Sequence, residues 1–198
     1  MISTLDMQIA RQCAPFLAGI KISNFLITHK SNQDKAVKLF HDSQVAVRCI
    51  YQDEERVTLF LYREDEMQHR LKEPEVKAFL FDAGYQEINL SEILECIACK
   101  YDSYMKIQGA FPHEIGVLLG YPVADVTGFM KHEGKNYLYL GYWKVYSDLQ
   151  GALTTFHRYR RAKEAMVQLV RCGKSIANIL TENYEEVLLQ EESQLVAV

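Results

Sequence analysis

One short segment in the middle of the chain, Phe-Pro-His-Glu-Ile-Gly at positions 111–116, combines side chains that could do chemistry. Proline is favoured at the first position of a helix, so Pro112 is expected to place His113 and Glu114 in the first turn. Backbone N–H groups are unpaired there and the helix dipole is positive, which disfavours a charged imidazolium. We therefore predict a neutral His113 that can accept a proton, ligate a metal or hydrogen-bond a carbonyl. The alternative is a histidine that only satisfies a neighbouring group, with Glu114 complementing the dipole.

A thiol near the N-terminus, Cys13, is the second candidate. We predict a short helix over residues 3–12 that stops near Cys13, because Pro15 disfavours a helical conformation in the residue before it. A thiol at such a junction is expected to be partly exposed, and the nearby Lys21 would favour its thiolate form.

Cysteine and a neutral histidine are the minimal pair for nucleophilic catalysis. In that hypothesis Cys13 is the nucleophile, His113 the base, and Glu114 an acid or, like Asn24, an orienting group, with an acyl or amide compound as substrate. The alternative is a buried free cysteine that packs as a small apolar residue.

Residues 137–146, Tyr-Leu-Tyr-Leu-Gly-Tyr-Trp-Lys-Val-Tyr, form a segment dense in aromatic side chains. We predict a β-strand in which Tyr142 and Lys144 share one face and Trp143 lies on the other, because successive side chains alternate. A lysine between tyrosines can hold an anionic ligand or stack against a ring, although it can also simply extend to the edge of a sheet. The predicted ligand-binding residues are Lys21, Asn24, Tyr142, Trp143 and Lys144.

The other cysteines and one basic cluster give weaker signals. Five cysteines, an odd count, favour free thiols over a disulfide framework. Cys96 and Cys99 form a CxxC pair inside a predicted helix, but a structural zinc site needs four ligands and no second pair exists, so no metal site is predicted. The basic cluster at 157–163 is expected to be the solvated face of a helix, with an acidic partner or RNA as the alternative.

Composition excludes several function classes. The chain has 198 residues and a formal net charge of −4, which gives no general attraction to nucleic acid. No apolar run approaches the roughly 20 residues that span a membrane. Asp6 and Arg11 interrupt the layout of a signal peptide, which predicts a cytoplasmic protein. The sequence indicates no particular cofactor and no oligomeric state.

The pattern of elements predicts an α+β fold in a single domain over residues 1–184, followed by an acidic, frayed tail at 185–198. Pro112 and Pro122 each open a short helix that a glycine can end, which predicts a helical corner. The predicted small, mostly antiparallel sheet has three or four strands within 20–27, 45–51, 56–62 and 137–146. A short polar connection at 52–55 predicts a hairpin of the second and third of these strands. Two long helices pack on the sheet, one at 91–107 with Ser91 as its cap and one at 148–171.

Three motifs resemble a bacterial family known as domain of unknown function 3793: Cys13 to Lys21, Phe111 to Phe129 and Gly141 to Tyr146. The resemblance covers about residues 5–180. The resemblance implies one cytoplasmic domain and a link to iron or redox metabolism, but it implies no reaction. This chain lacks a cysteine that we expect in the family near Ala162.

Two hypotheses follow. The first is a binding or accessory protein in which the helix start at Pro112 and the aromatic segment line one pocket for a small anionic ligand, a metal complex or a segment of a protein partner. The second is the thiol-dependent acyl or amide hydrolase or transferase. The first needs only two motifs to be neighbours, whereas the second also needs Cys13 within hydrogen-bond reach of His113.

Overall fold

A computed structural model of the chain describes residues 3–41 and 43–181, and a three-stranded antiparallel sheet lies at its centre. The strands are β1 (Ser23–His29), β2 (Ala46–Gln52) and β3 (Arg56–Tyr62), in the order β1-β3-β2. The predicted hairpin of β2 and β3 is confirmed. Asp53 forms its turn, because one carboxylate oxygen accepts the backbone N–H groups of Glu55 and Arg56.

Helices cover both faces of this sheet, because the central strand β3 buries side chains on both sides. Val57, Leu59 and Leu61 belong to one apolar core, and Phe60 belongs to the other. The first core is closed by α1 (Thr4–Leu17), α2 (Gln33–His41), α8 (Leu149–Arg171) and α9 (Ile176–Thr181). The second is closed by α3 (Glu64–Lys72), α4 (Pro74–Asp82), α5 (Leu90–Ile107), α6 (Glu114–Leu118) and α7 (Val123–Lys131). The predicted α+β fold in one domain is therefore confirmed.

The first helix is longer than predicted. Instead of stopping near Cys13, α1 continues to Leu17 with Pro15 inside it. Its last residues, including Ala14 and Phe16, are buried in the first core. Packing of this apolar face outweighs the local preference of proline, which removes only one N–H group close to the end of the helix.

The aromatic segment is not a fourth strand of the sheet. It forms a small hairpin of its own, with two-residue strands β4 (Tyr139–Leu140) and β5 (Lys144–Val145), so the predicted alternation of faces over 137–146 is wrong. The chain reverses at Gly141, whose N–H donates to the carbonyl of Trp143 at 3.1 Å. A Cβ at Gly141 would lie 2.2 Å from the ring of Phe156 on α8, so glycine is required for this close approach. We call residues 137–146 the aromatic hairpin.

The helical corner and the two long helices are confirmed, with a small change at one cap. Asn89, not a serine, caps α5, because its side-chain oxygen accepts the N–H groups of Ser91 and Glu92. None of the helices in the described ranges has the length and apolar character needed to cross a bilayer. The predicted tail at 185–198 lies outside the described residues.

A buried hydrogen bond joins α6 to the sheet, and its removal is a direct test of this packing. The hydroxyl of Ser23 donates to the carbonyl of Leu118 at 2.7 Å, and Ser23 is fully buried. We expect Ser23→Ala to lower the free energy of unfolding by about 1–3 kcal/mol in urea titrations, because the carbonyl is left buried without a partner. Thr154→Ala, which removes an exposed hydroxyl, is the control; equal losses in both variants would contradict the packing described.

Candidate functional site

A cavity of about 470 Å³ lies between the α6–α7 corner, the C-terminal end of α5 and the aromatic hairpin. This volume is typical of sites for small molecules. Six aromatic side chains form most of its wall: Tyr104, Phe111, Tyr121, Phe129, Tyr142 and Trp143. We call it the aromatic cavity.

The corner beneath the cavity is held tightly by Gly116. A Cβ at this position would lie 3.0 Å from a methyl group of Val126, so a larger residue would force the side chain of Val126 to shift. Gly120 has φ +80° and ends the first arm of the corner, a conformation that side chains rarely adopt. Gly116 is therefore a point of close packing between α6 and α7.

The carboxylate of Asp125 fixes the aromatic hairpin to α7. One oxygen accepts the indole N–H of Trp143 at 2.7 Å. The other accepts the backbone N–H groups of Tyr146 and Ser147 at 2.8 and 2.9 Å, and the hydroxyl of Ser147 at 2.8 Å. Because Asp125 is only 2% exposed, these four hydrogen bonds are what satisfy its buried charge.

Trp143 forms one wall of the cavity in a fixed orientation. Its ring stacks on Tyr121 with centroids 5.0 Å apart and planes at 28°, and it meets Phe156 edge to face at 4.5 Å. Such pairs stabilise one another beyond simple burial. With the bond to Asp125, they hold an aromatic surface against the cavity.

His113 lies immediately before α6 with its ring between two aromatic neighbours. The centroids of Phe111 and Phe129 are 5.5 and 5.4 Å away. Among the described residues, none hydrogen-bonds to either ring nitrogen. Burial lowers the pKa of His113, with Glu114 opposing the shift, so the imidazole is neutral at pH 7.

Lys144 supplies the positive charge of the cavity. Its Nζ donates to the carbonyl of Gly134 at 2.7 Å and lies 5.5 and 5.0 Å from the ring centroids of Phe129 and Tyr137. No carboxylate in the part of the chain that the structure describes forms an ion pair with it. The ammonium therefore has donors left for an anion.

Glu114 points away from the cavity. Its carboxylate accepts the hydroxyl of Tyr85 at 2.8 Å and forms an ion pair with Lys100, and it is only 4% exposed. Burial and the neighbouring carboxylate raise the pKa of Tyr85. These contacts join α6 to α5 and to the end of α4, and the structure does not place Glu114 among the residues that line the cavity.

Cys13, Lys21 and Asn24 form a separate buried cluster. Asn24 connects the other two, because its Nδ2 lies 3.5 Å from the Cys13 sulfur and its Oδ1 accepts Lys21 Nζ at 2.8 Å. The partners of the sulfur are Asn24 and the carbonyl of Phe25, and His113 is not among them. The cluster contacts the cavity at Tyr121, whose ring centroid lies 5.6 Å from Lys21 Nζ.

The expected partial exposure of Cys13 is wrong. The residue is fully buried because α1 continues past it into the first core. Burial raises the pKa of its thiol to about 12, since the opposing effects of Asn24 and Lys21 are smaller. Burial also lowers the pKa of Lys21 to about 8.

The remaining sequence signals do not converge on a metal site. All five cysteines are free, and Cys96 and Cys99 lie on α5, half-buried and exposed respectively. No group of three or more histidine, cysteine or acidic residues that could hold a metal ion is found within 3–41 and 43–181.

Nine of the residues that line the cavity are missing from the predicted set, among them Phe111, Tyr121, Asp125 and Phe129. Asp125 stands in the first turn of α7, where a carboxylate also has the ordinary role of complementing the helix dipole. Its actual role depends on where the aromatic hairpin lies, which local sequence does not show. For Phe111, Tyr121 and Phe129, the one feature of the sequence that could have indicated a role in the cavity is the grouping of aromatic residues around Pro112 and Pro122.

Residues 9–180 match a family model described as "Protein of unknown function (DUF3793)". No curated protein and no solved structure matches the chain. The match spans nearly all of the described residues and includes every residue of the aromatic cavity.

The tether between Asp125 and Trp143 can be tested on its own, because Trp143 is the only tryptophan. In Asp125→Asn, one side-chain oxygen can still accept from Tyr146 and Ser147, but the amide N–H₂ cannot accept the indole N–H. We expect a red-shifted Trp143 emission and greater access for a soluble quencher. Ser147→Ala leaves the indole bond intact and is the control; the same spectrum in both variants would contradict the tether.

The buried amine of Lys21 predicts a dependence of stability on pH. Its pKa is about 8 in the folded chain and 10.5 when exposed, so between these values the unfolded chain holds the extra proton. The free energy of unfolding of the wild type, relative to Lys21→Met, should therefore rise with pH from about 8 upward, by up to about 3 kcal/mol over the whole window. Chemical denaturation at several pH values measures the difference; a flat difference would show that Lys21 keeps its ordinary pKa.

Proposed function

The chain belongs to the DUF3793 family, whose function is unassigned, and from the geometry of the site we propose that it binds a small anionic molecule with an aromatic or apolar body. The aromatic cavity is the binding site. The ligand's body packs against Trp143 and Phe129, and its charged group lies near Lys144.

The observation that carries this proposal is the set of polar atoms that the fold leaves free in an apolar pocket. The ring nitrogens of His113 have no partner among the described residues, and the Lys144 ammonium has no carboxylate there. An apolar pocket with a few convergent polar groups is the usual form of a small-molecule site. A neutral imidazole can donate one hydrogen bond and accept another, which would orient such a ligand.

The wall geometry supports an aromatic body for the ligand. Trp143 is held by Asp125 and Tyr121, so it is preorganised and loses little conformational freedom on binding. The rings of Phe111 and Phe129 flank His113 and extend the same apolar surface. A flat apolar body would therefore displace water from several rings at once.

No observation favours the thiol enzyme over this proposal. That reaction needs the Cys13 thiolate beside His113, whereas the sulfur is buried with a raised pKa and has Asn24 as its partner. A cytoplasmic location, a link to iron or redox metabolism and the absence of nucleic-acid partners remain predictions from the sequence.

Cinnamate and cinnamyl alcohol test the proposal, because they share a flat aromatic body and differ in charge. We expect calorimetry to show saturable binding of both, with cinnamate the tighter. Lys144→Met should weaken cinnamate about tenfold, roughly 1.4 kcal/mol, and leave the alcohol unchanged, because only the carboxylate uses the ammonium.

Lys135→Met is the matched control, since Lys135 is an exposed lysine outside the cavity. It removes the same charge and should leave the affinity for cinnamate at the wild-type value. Absence of saturable binding by either compound, or an equal loss in Lys135→Met and Lys144→Met, would reject the aromatic cavity as an anion-binding site.

A further inference from the structure

A second concave surface adjoins the aromatic cavity and carries the basic cluster of α8. It has a volume of about 450 Å³ and is lined by Arg11 of α1 and by Arg160, Lys163 and Glu164 of α8. Arg160 and Lys163 are three residues apart, so they lie on the same face of the helix. We call this surface the basic groove.

Tyr142 lines both the aromatic cavity and the basic groove. It lies at the turn of the aromatic hairpin, and its ring packs against Phe156 at 5.6 Å and edge to face against Tyr159 at 5.1 Å. Tyr142 is 41% exposed, and it is a lining residue that the two surfaces share. A ligand that fills the cavity and extends past this side chain would meet the groove.

The charges of the groove are not balanced by the residues that the structure describes. Arg11, Arg160 and Lys163 form no ion pair with any residue of the described ranges, and Glu164 is the one acidic residue in the lining. By contrast, Arg48 and Arg70 are each paired with a glutamate. Two guanidinium groups and an ammonium facing one space repel each other, and a compact dianion removes that repulsion.

A phosphate group fits this set of side chains best. Guanidinium groups bind phosphate through paired, charge-assisted hydrogen bonds, and a lysine adds a further charge. RNA or an acidic peptide would instead contact charges spread along α8, including Arg158, which is not part of the groove. The groove is local and shares Tyr142 with the aromatic cavity, which favours one charged group attached to an aromatic body.

Building on the proposed function, we propose that the aromatic cavity and the basic groove are two halves of one site, and that its ligand is an aromatic compound bearing a phosphate. The ring lies against Trp143 with its polar substituents near His113 and Lys144, the connecting atoms pass Tyr142, and the phosphate is a second charged group that binds Arg11, Arg160 and Lys163. This assigns a role to the basic cluster that solvation alone does not give it.

Two matched pairs of probes isolate the contribution of the phosphate: adenosine monophosphate with adenosine, and pyridoxine phosphate with pyridoxine. We expect calorimetry to show that the phosphate tightens binding by about tenfold or more in at least one pair. Arg160→Ala should abolish that gain and leave the unphosphorylated compound unchanged. Arg158→Ala, which removes the same charge from the same helix outside the groove, should keep the gain.

Any of three outcomes would overturn the inference. The first is that the phosphate gives no gain in affinity in either pair, and the second is that Arg160→Ala leaves the gain intact. The third is that Arg158→Ala abolishes the gain as fully as Arg160→Ala does, as expected for RNA or a diffuse acidic partner. Cinnamate binding separates this failure from failure of the proposed function. If cinnamate still binds in a Lys144-dependent way, only the phosphate half of the site is wrong; if it does not, the aromatic cavity itself is not the site.

Discussion

The buried carboxylate of Asp125 is the contact on which the candidate site depends. Its four hydrogen bonds hold the aromatic hairpin against α7, and one of them sets the orientation of Trp143. A buried charge without such partners would be strongly unfavourable, so hairpin and helix stabilise each other. The hairpin has only two residues in each strand and could not hold this position through its own ladder.

The rest of the fold brings this contact to the right place. The sheet buries side chains on both faces, and the second core carries the α6–α7 corner, which Ser23 joins to β1. Glu114 joins the same corner to α5 through Lys100 and Tyr85. Ionisable groups that the sequence suggests for catalysis therefore fix the scaffold, while His113 and Lys144 remain available to a ligand.

Local signals in the sequence predict the elements better than their contacts. Alternating β-rich runs around Asp53 predict the β2–β3 hairpin, and Pro112 and Pro122 predict the corner, because turn and cap preferences act over a few residues. The prediction from Pro15 that the first helix stops near Cys13 is wrong, because the burial of α1 depends on helices far away in sequence. The burial of Cys13 and the contact of Gly141 with Phe156 arise in the same way, from non-local packing. The role of Asp125 is hidden for the same reason.

The most direct test of the central claim is the indole N–H resonance of Trp143 in a proton–nitrogen correlation spectrum, which contains one such signal because the chain has one tryptophan. The account predicts a shifted, slowly exchanging N–H bonded to Asp125, and a saturable movement of that signal when cinnamate is added. A resonance typical of a solvent-exposed indole, or one that does not move while cinnamate binds, would contradict it.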